Sequence, residues 1–398
     1  MLLLNRHSDY RAALDPADAE TLGLEGAAEA ERYLARRDKN AETPLHALPA
    51  LAAELGVGAV HIKDEGFRLG LGSFKALGGA YAVTRLVLEE AARQRGRAFG
   101  IADLQAPEVR AVANRMTFAC ATDGNHGRSV AQGAALVGAT SVIFVHAGVS
   151  DARVAAIARF GAQMIRVAGT YDDSVTEAAR VSVEQGWTVV SDTSWPGYER
   201  IPGLVMQGYT ALVREALRQI GDPPTHVFVQ AGVGGVAAAV AGHLAIVFGD
   251  RRPTFVVVDP ARAACIYETA KAGRPVKIAH GAPTVMAMLA CYDPSPLAWR
   301  VLSRAADGFM TVDDAGAIAV MNRLARPAGG DPPIVAGESG GAGLAGAIRA
   351  ATDPEMRAKL GLTASSRLFV INTEGATDPA RYAELVGMSP DVVRHSMH

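Results

Sequence analysis

Lys75 stands in the run "LGLGSFKALGGAYAVTRL" (69–86), with Gly70 and Gly72 before it and Gly78 and Gly79 after it. From Phe74 onward the apolar spacing is helical, with Leu77, Ala80, Tyr81 and Leu86 on or near one face. The lysine is therefore expected in the first turn of a half-buried helix. The positive end of the helix dipole and the loss of hydration both disfavour an ammonium there, so a neutral amine is expected. Read alone, Lys75 is a helix-end lysine that carries its charge out to solvent. Two further stretches change that reading.

The apolar run "MTFACA" leads into "TDGNHGRSVA" (122–131), a polar glycine turn followed by a helical pattern. Backbone N–H groups at such a helix start offer an anion site, and Asp123 or Asn125 suits an N-cap. The run "HVFVQA" leads into "GVGG", so Gly232, Val233, Gly234 and Gly235 open another helix. Neither a dinucleotide fingerprint nor a triphosphate loop is present, and the glycines suit one phosphate. An amine, a cradle for one phosphate and an asparagine at a helix start together fit pyridoxal 5'-phosphate, which needs a lysine for its imine.

The elements that position these loops are legible as alternating runs. Strands are expected at 59–64, 116–121, 140–145, 162–167, 187–192, 226–231, 254–259 and 367–372. Helical patterns fall near 74–93, 126–137, 151–160, 172–185, 203–219, 234–248, 262–272, 313–325 and 341–351. Near-continuous apolar strands alternating with helices predict an α/β fold with mainly parallel sheets covered on both faces. Ligands of such sheets bind beyond the carboxyl ends of the strands, where the three loops lie.

A chain of 398 residues is expected to form two domains. Its net charge of −2 gives no basic footprint for nucleic acid. Cys120, Cys265 and Cys291 lie in or beside apolar runs without metal-ligand spacing, so buried reduced thiols and no metal site are expected. The N-terminal apolar run is too short for a secretory signal, and the stretch at 236–248 is too short to span a bilayer. A cytoplasmic protein with no membrane or nucleic-acid partner is the expectation.

The order of the Lys75 loop, the Asn125 loop, the Gly232–Gly235 loop and a final "NTEG" turn resembles the tryptophan-synthase-β class of pyridoxal-phosphate enzymes, fold type II. Within that class the segments "TDGNHGR", "SDTSW", "PTVMAMLAC" and "GGDPPIVAGESG" are similar to the diaminopropionate ammonia-lyase branch, over about Thr43 to Asp378. The resemblance implies a large cofactor-binding domain (1–85 and 205–398), a small domain (86–204) carrying the Asn125 loop, and a homodimer. It implies that Lys75 forms the imine, with Phe74 beside it. Asn125 meets the ring oxygen, and Gly232, Val233, Gly234 and Gly235 hold the phosphate. Thr373, or Asn372 where the class commonly has serine, meets the pyridine nitrogen. Asp123 replaces the small hydroxyl residue of ordinary dehydratases, and Asp192 in "SDTSW" adds a second carboxylate; both are expected to be catalytic, near a substrate β-ammonium. As plain structure, Asp123 is a helix cap and Asp192 a turn residue. Glu338 and Ser339 are expected to close a loop over the cofactor. The implied activity is α,β-elimination of 2,3-diaminopropionate to pyruvate and two ammonia. The alternatives are elimination from serine, threonine or hydroxyaspartate, and a non-catalytic cofactor-binding protein.

Overall fold

The structure, a computed structural model, describes residues 1–122 and 124–395. Among these, eleven strands run in chain order: β1 (Leu2–Leu4), β2 (Leu45–Ala47), β3 (Ala59–Asp64), β4 (Thr117–Ala121), β5 (Thr140–His146), β6 (Gln163–Val167), β7 (Thr188–Val189), β8 (His226–Gln230), β9 (Thr254–Pro260), β10 (Gly308–Val312) and β11 (Arg367–Asn372). They form two sheets. The larger has the order β1-β10-β9-β8-β11-β3-β2 and is parallel through its centre, with antiparallel edges where β1 meets β10 and β2 meets β3. The smaller, β6-β5-β4-β7, is parallel throughout.

The apolar runs sit where both faces are covered. Every residue of β8 is buried, and so is every residue of β9 and β11 after the first. Each of the eight runs read as strands holds one, although "WTVVSD" pairs only over Thr188–Val189. Strands β1, β2 and β10 are additional. Residues 85 and 86, the expected first domain boundary, fall inside the helix Lys75–Arg95. No helix of the described residues is long and apolar enough to cross a membrane.

Two reversals of strand order locate the site. In the small sheet β4 leads to β5 on one side while β7 lies on the other; in the large sheet the descending order β10-β9-β8 breaks at β11. Crevices open beyond the carboxyl ends at such reversals. The first lies between the turn after β4 and the segment after β7. The second lies between the glycine loop after β8 and the turn after β11. The Lys75–Arg95 helix is wedged beside the helices Asn125–Val137 and Arg200–Gln219. Its fit against the latter needs Gly208, where a Cβ would stand 2.4 Å from the Leu77 carbonyl oxygen. A bulkier residue would lever the helix and its lysine outward.

Candidate active site

Lys75 is the first residue of its helix, as the spacing predicts. Its ammonium pairs with the Asp192 carboxylate from the segment after β7. The two side chains keep 21% and 16% of their surface exposed, so a small molecule can reach them. The expected neutral amine is corrected here. Burial does pull the lysine down, but the Asp192 charge outweighs it and holds the ammonium above its ordinary value. Asp192 is in turn held below the usual carboxylate range: burial pushes it up, and Lys75 and then His126 more than offset this. His126 donates from Nε2 to the Val190 carbonyl at 2.8 Å, and its Nδ1 is buried without a hydrogen-bond partner among the described residues. Burial, with Lys75 nearby, pulls that imidazole below its ordinary value against the opposing pull of Asp192. The Tyr209 hydroxyl, pushed up by burial, lies beside Lys75, and the Tyr209 ring packs edge-on against Phe74 at 4.8 Å.

The glycine loop lies beside this pair. A Cβ on Gly235 would stand 3.6 Å from the Asp192 carbonyl oxygen. The helix Gly235–Phe248 starts here, and Ala238 N–H donates to the Gly234 carbonyl at 2.9 Å. The N–H groups of Gly235, Val236 and Ala237 therefore precede the first intrahelical bond and are free for an anion. Asp192 is held against the loop through Ser194, whose hydroxyl meets Ser295 at 2.8 Å, while Ser295 N–H donates to the Val233 carbonyl at 3.0 Å. Gly234 does not serve by leaving room for a phosphate. It has φ +102°, and a Cβ there would meet Ile266 Cδ1 at 2.9 Å and Ala298 Cβ at 3.0 Å, on the core side. Gly234→Val is therefore expected to cost about 3 kcal/mol of stability through backbone strain and overpacking, and to weaken cofactor binding as the cradle shifts. Denaturant titration and cofactor titration of the variant check both.

Asn125, at the start of its helix, donates from Nδ2 to Glu374 Oε2 at 2.7 Å. Thr373 is placed by three bonds. Its N–H donates to the Gly340 carbonyl at 3.2 Å, its carbonyl accepts from Phe74 N–H at 2.9 Å, and its Oγ1 accepts from Gln230 Nε2 at 2.8 Å. That leaves its hydroxyl hydrogen available to an acceptor such as a pyridine nitrogen. Asn372 is committed elsewhere, donating to Asp64 at 2.7 Å and to the Val335 carbonyl at 3.1 Å. Glu338 is buried beside Arg153, 3.4 Å away, and Ser339 Oγ accepts from Met288 N–H at 3.1 Å. Glu374 is pushed up to about 7, first by burial and then by the Glu338 charge. Asp123 lies outside the described residues.

Beneath the loop that leads to Lys75 lies a charged cluster. The fully buried Arg68 donates to Glu65 at 2.7 and 2.8 Å and to Glu215 at 3.0 Å, and Lys63 pairs with Glu215. Lys63 also donates to the Thr43 carbonyl and to Gln219, each at 2.7 Å. Two cations face two carboxylates, so the set is neutral and fully hydrogen-bonded, the condition under which buried charges are tolerated.

Gln230, Glu374, Tyr209 and His126 were not singled out by sequence. Gln230 has a signal, being a lone amide that ends a fully buried apolar strand at its carboxyl end. Together the residues fit pyridoxal phosphate: a lysine between free helix-start N–H groups, an asparagine amide and a threonine hydroxyl, with the His126 Nδ1 atom buried and without a hydrogen-bond partner among the described residues at the same place.

Comparison with known proteins agrees. A family model described as "Pyridoxal-phosphate dependent enzyme" matches residues 36–373. The "Diaminopropionate ammonia-lyase" of Escherichia coli (strain K12) is 40% identical over 351 residues, covering 86% of this chain and 87% of that one. The crystal structure of the Escherichia coli lyase in complex with an aminoacrylate-PLP azomethine reaction intermediate superposes with a TM-score of 0.87 at 37% identity, covering 97% and 96% of the two chains. The structure of the same lyase with D-serine gives 0.86 at 35% identity, with the same coverage.

Proposed function

The chain belongs to the family of pyridoxal-phosphate dependent enzymes, and from that premise we propose that it eliminates the β-ammonia from 2,3-diaminopropionate, the released aminoacrylate then taking up water to give pyruvate and a second ammonia. The fold is fold type II. The observation that carries the choice of substrate is Asp192, an ionised, largely buried carboxylate at the reactive lysine. Such a charge suits a substrate with a β-ammonium and repels the carboxylate of one without it.

Bound pyridoxal phosphate supplies the electron sink for the carbanion at the substrate α-carbon. Lys75 attaches the cofactor and then moves the α-proton on its own face with Nζ. Asp192 holds the Lys75 proton and receives the β-ammonium. The N–H groups from Gly232 to Gly235 and the first helical turn would hold the phosphate. Asn125 would donate to the ring oxygen. Thr373 would donate its hydroxyl hydrogen to the pyridine nitrogen, and an uncharged nitrogen would be a weaker sink that favours elimination over transamination. Phe74 packs beside Lys75. We assign residues 1–85 with 205–398 to the cofactor-binding domain and 86–204 to the small domain. A homodimer, which the resemblance implies, and a cytoplasmic location belong to the same proposal; light scattering and cell fractionation test them.

The test is turnover on both enantiomers of diaminopropionate, serine, threonine and hydroxyaspartate, with keto acid and ammonia followed together. Diaminopropionate should be fastest and release two ammonia per pyruvate. Faster turnover of serine, with one ammonia, would overturn the substrate assignment.

Asp123 falls in sequence between β4 and the Asn125 helix, and we assign it the α-proton on the face opposite Lys75. Asp123→Asn is nearly isosteric and removes a base. Activity on the D-substrate should fall roughly 10²-fold or more, the size of a general-base contribution. The L-substrate should lose less, and serine least. Equal losses on the two enantiomers would end the two-base assignment.

A further inference from the structure

Glu374 ties together three parts of the site. It forms an antiparallel bridge with Ser73, two residues before Lys75, and its carbonyl accepts from Gly337 N–H at 3.0 Å. Its side chain is 2% exposed; Oε2 accepts from Asn125 Nδ2 at 2.7 Å and from Thr377 Oγ1 at 3.4 Å. Oε1 is buried without a partner among the described residues, as is Oε2 of the neighbouring Glu338. A side chain with two buried polar atoms, one of them unsatisfied, is costly to keep for packing alone.

An asparagine amide has two ends of nearly equal shape and opposite chemistry. An ionised carboxylate oxygen only accepts, so in that form Glu374 selects the Nδ2 end of Asn125 and excludes the flipped amide. We propose that Glu374 is a positioning residue that locks the Asn125 amide with its nitrogen toward the cofactor, so that the second N–H is presented to the ring oxygen. This rests on the reading of Asn125 given above. Without Glu374 the amide turns freely, and half of its orientations place a carbonyl against an oxygen.

The test uses the holoenzyme and three variants, Asn125→Ala, Glu374→Leu and Glu374→Gln, with pyridoxal phosphate titrated and its visible absorption recorded. A hydrogen bond to the ring oxygen tunes the bound cofactor. Asn125→Ala should shift the absorption maximum and weaken binding about tenfold, the scale of one hydrogen bond to a charged group. Glu374→Leu should reproduce both effects. Glu374→Gln offers Asn125 an acceptor but also a donor, so it should fall between the wild-type protein and Glu374→Leu in both maximum and affinity. Should Glu374→Leu fail to fold, Glu374→Asp withdraws the acceptor by one methylene and should shift the spectrum in the same direction. A shift in Asn125→Ala with none in Glu374→Leu or Glu374→Asp overturns the positioning role. An unshifted Asn125→Ala overturns the reading of Asn125 itself.

Discussion

Lys75→Ala is expected to abolish covalent attachment of pyridoxal phosphate and to lower turnover roughly 10⁴-fold, because an attaching amine and a proton carrier are lost together. The fold should survive. The side chain is at the start of its helix and partly exposed, and the helix is held by its own apolar face. Borohydride reduction of the native holoprotein followed by peptide mapping should place the label on Lys75, and the variant should carry none. Label on another lysine would transfer the role. Lys63 is a poor rival, since it is fully buried and committed to Glu215, Gln219 and the Thr43 carbonyl.

Arg68→Met should have the largest effect on stability, about 3–5 kcal/mol, the usual cost of removing one partner from a buried charge set. The native cluster of Lys63 and Arg68 with Glu65 and Glu215 is neutral; the variant leaves two carboxylates facing one cation. The double variant Arg68→Met with Glu215→Gln restores neutrality and should recover part of the loss, a coupling that a double-mutant cycle measures. Denaturant midpoints of the four proteins decide it. If the single and double variants lose equally, the cluster acts through packing and not through charge balance. Cofactor affinity should fall in step with stability, because Arg68 lies in the segment that ends at Lys75.

The buried centre of both sheets was legible because a strand covered on both faces writes a continuous apolar run, as "HVFVQ" and "RLFVIN" do. The strands missed were the three-residue β1 and β2, too short for any period, and β10, whose "GFMTV" opens on glycine. The lysine, asparagine and glycine loops were legible because each sits next to a strand end or a helix start. Gln230 and Glu374 were not, since each takes its meaning from a partner far along the chain: Thr373 is 143 residues from Gln230, and Glu374 is 249 from Asn125. The charge of Lys75 was misjudged for the same reason. Its own segment predicts a neutral amine, and the carboxylate that reverses this arrives from 117 residues away.

Strand β11 lies between β3 and β8 in the middle of the large sheet, although it comes after both in the chain. During synthesis, a chain that has made β3 and β8 still lacks the strand that joins them, and the turn bearing Thr373 and Glu374 with it. Pairings of such long range form slowly and late. The emerging polypeptide therefore displays a lysine with no finished pocket around it for most of its synthesis. The pocket that holds the cofactor is therefore completed only when the last strand of the large sheet pairs.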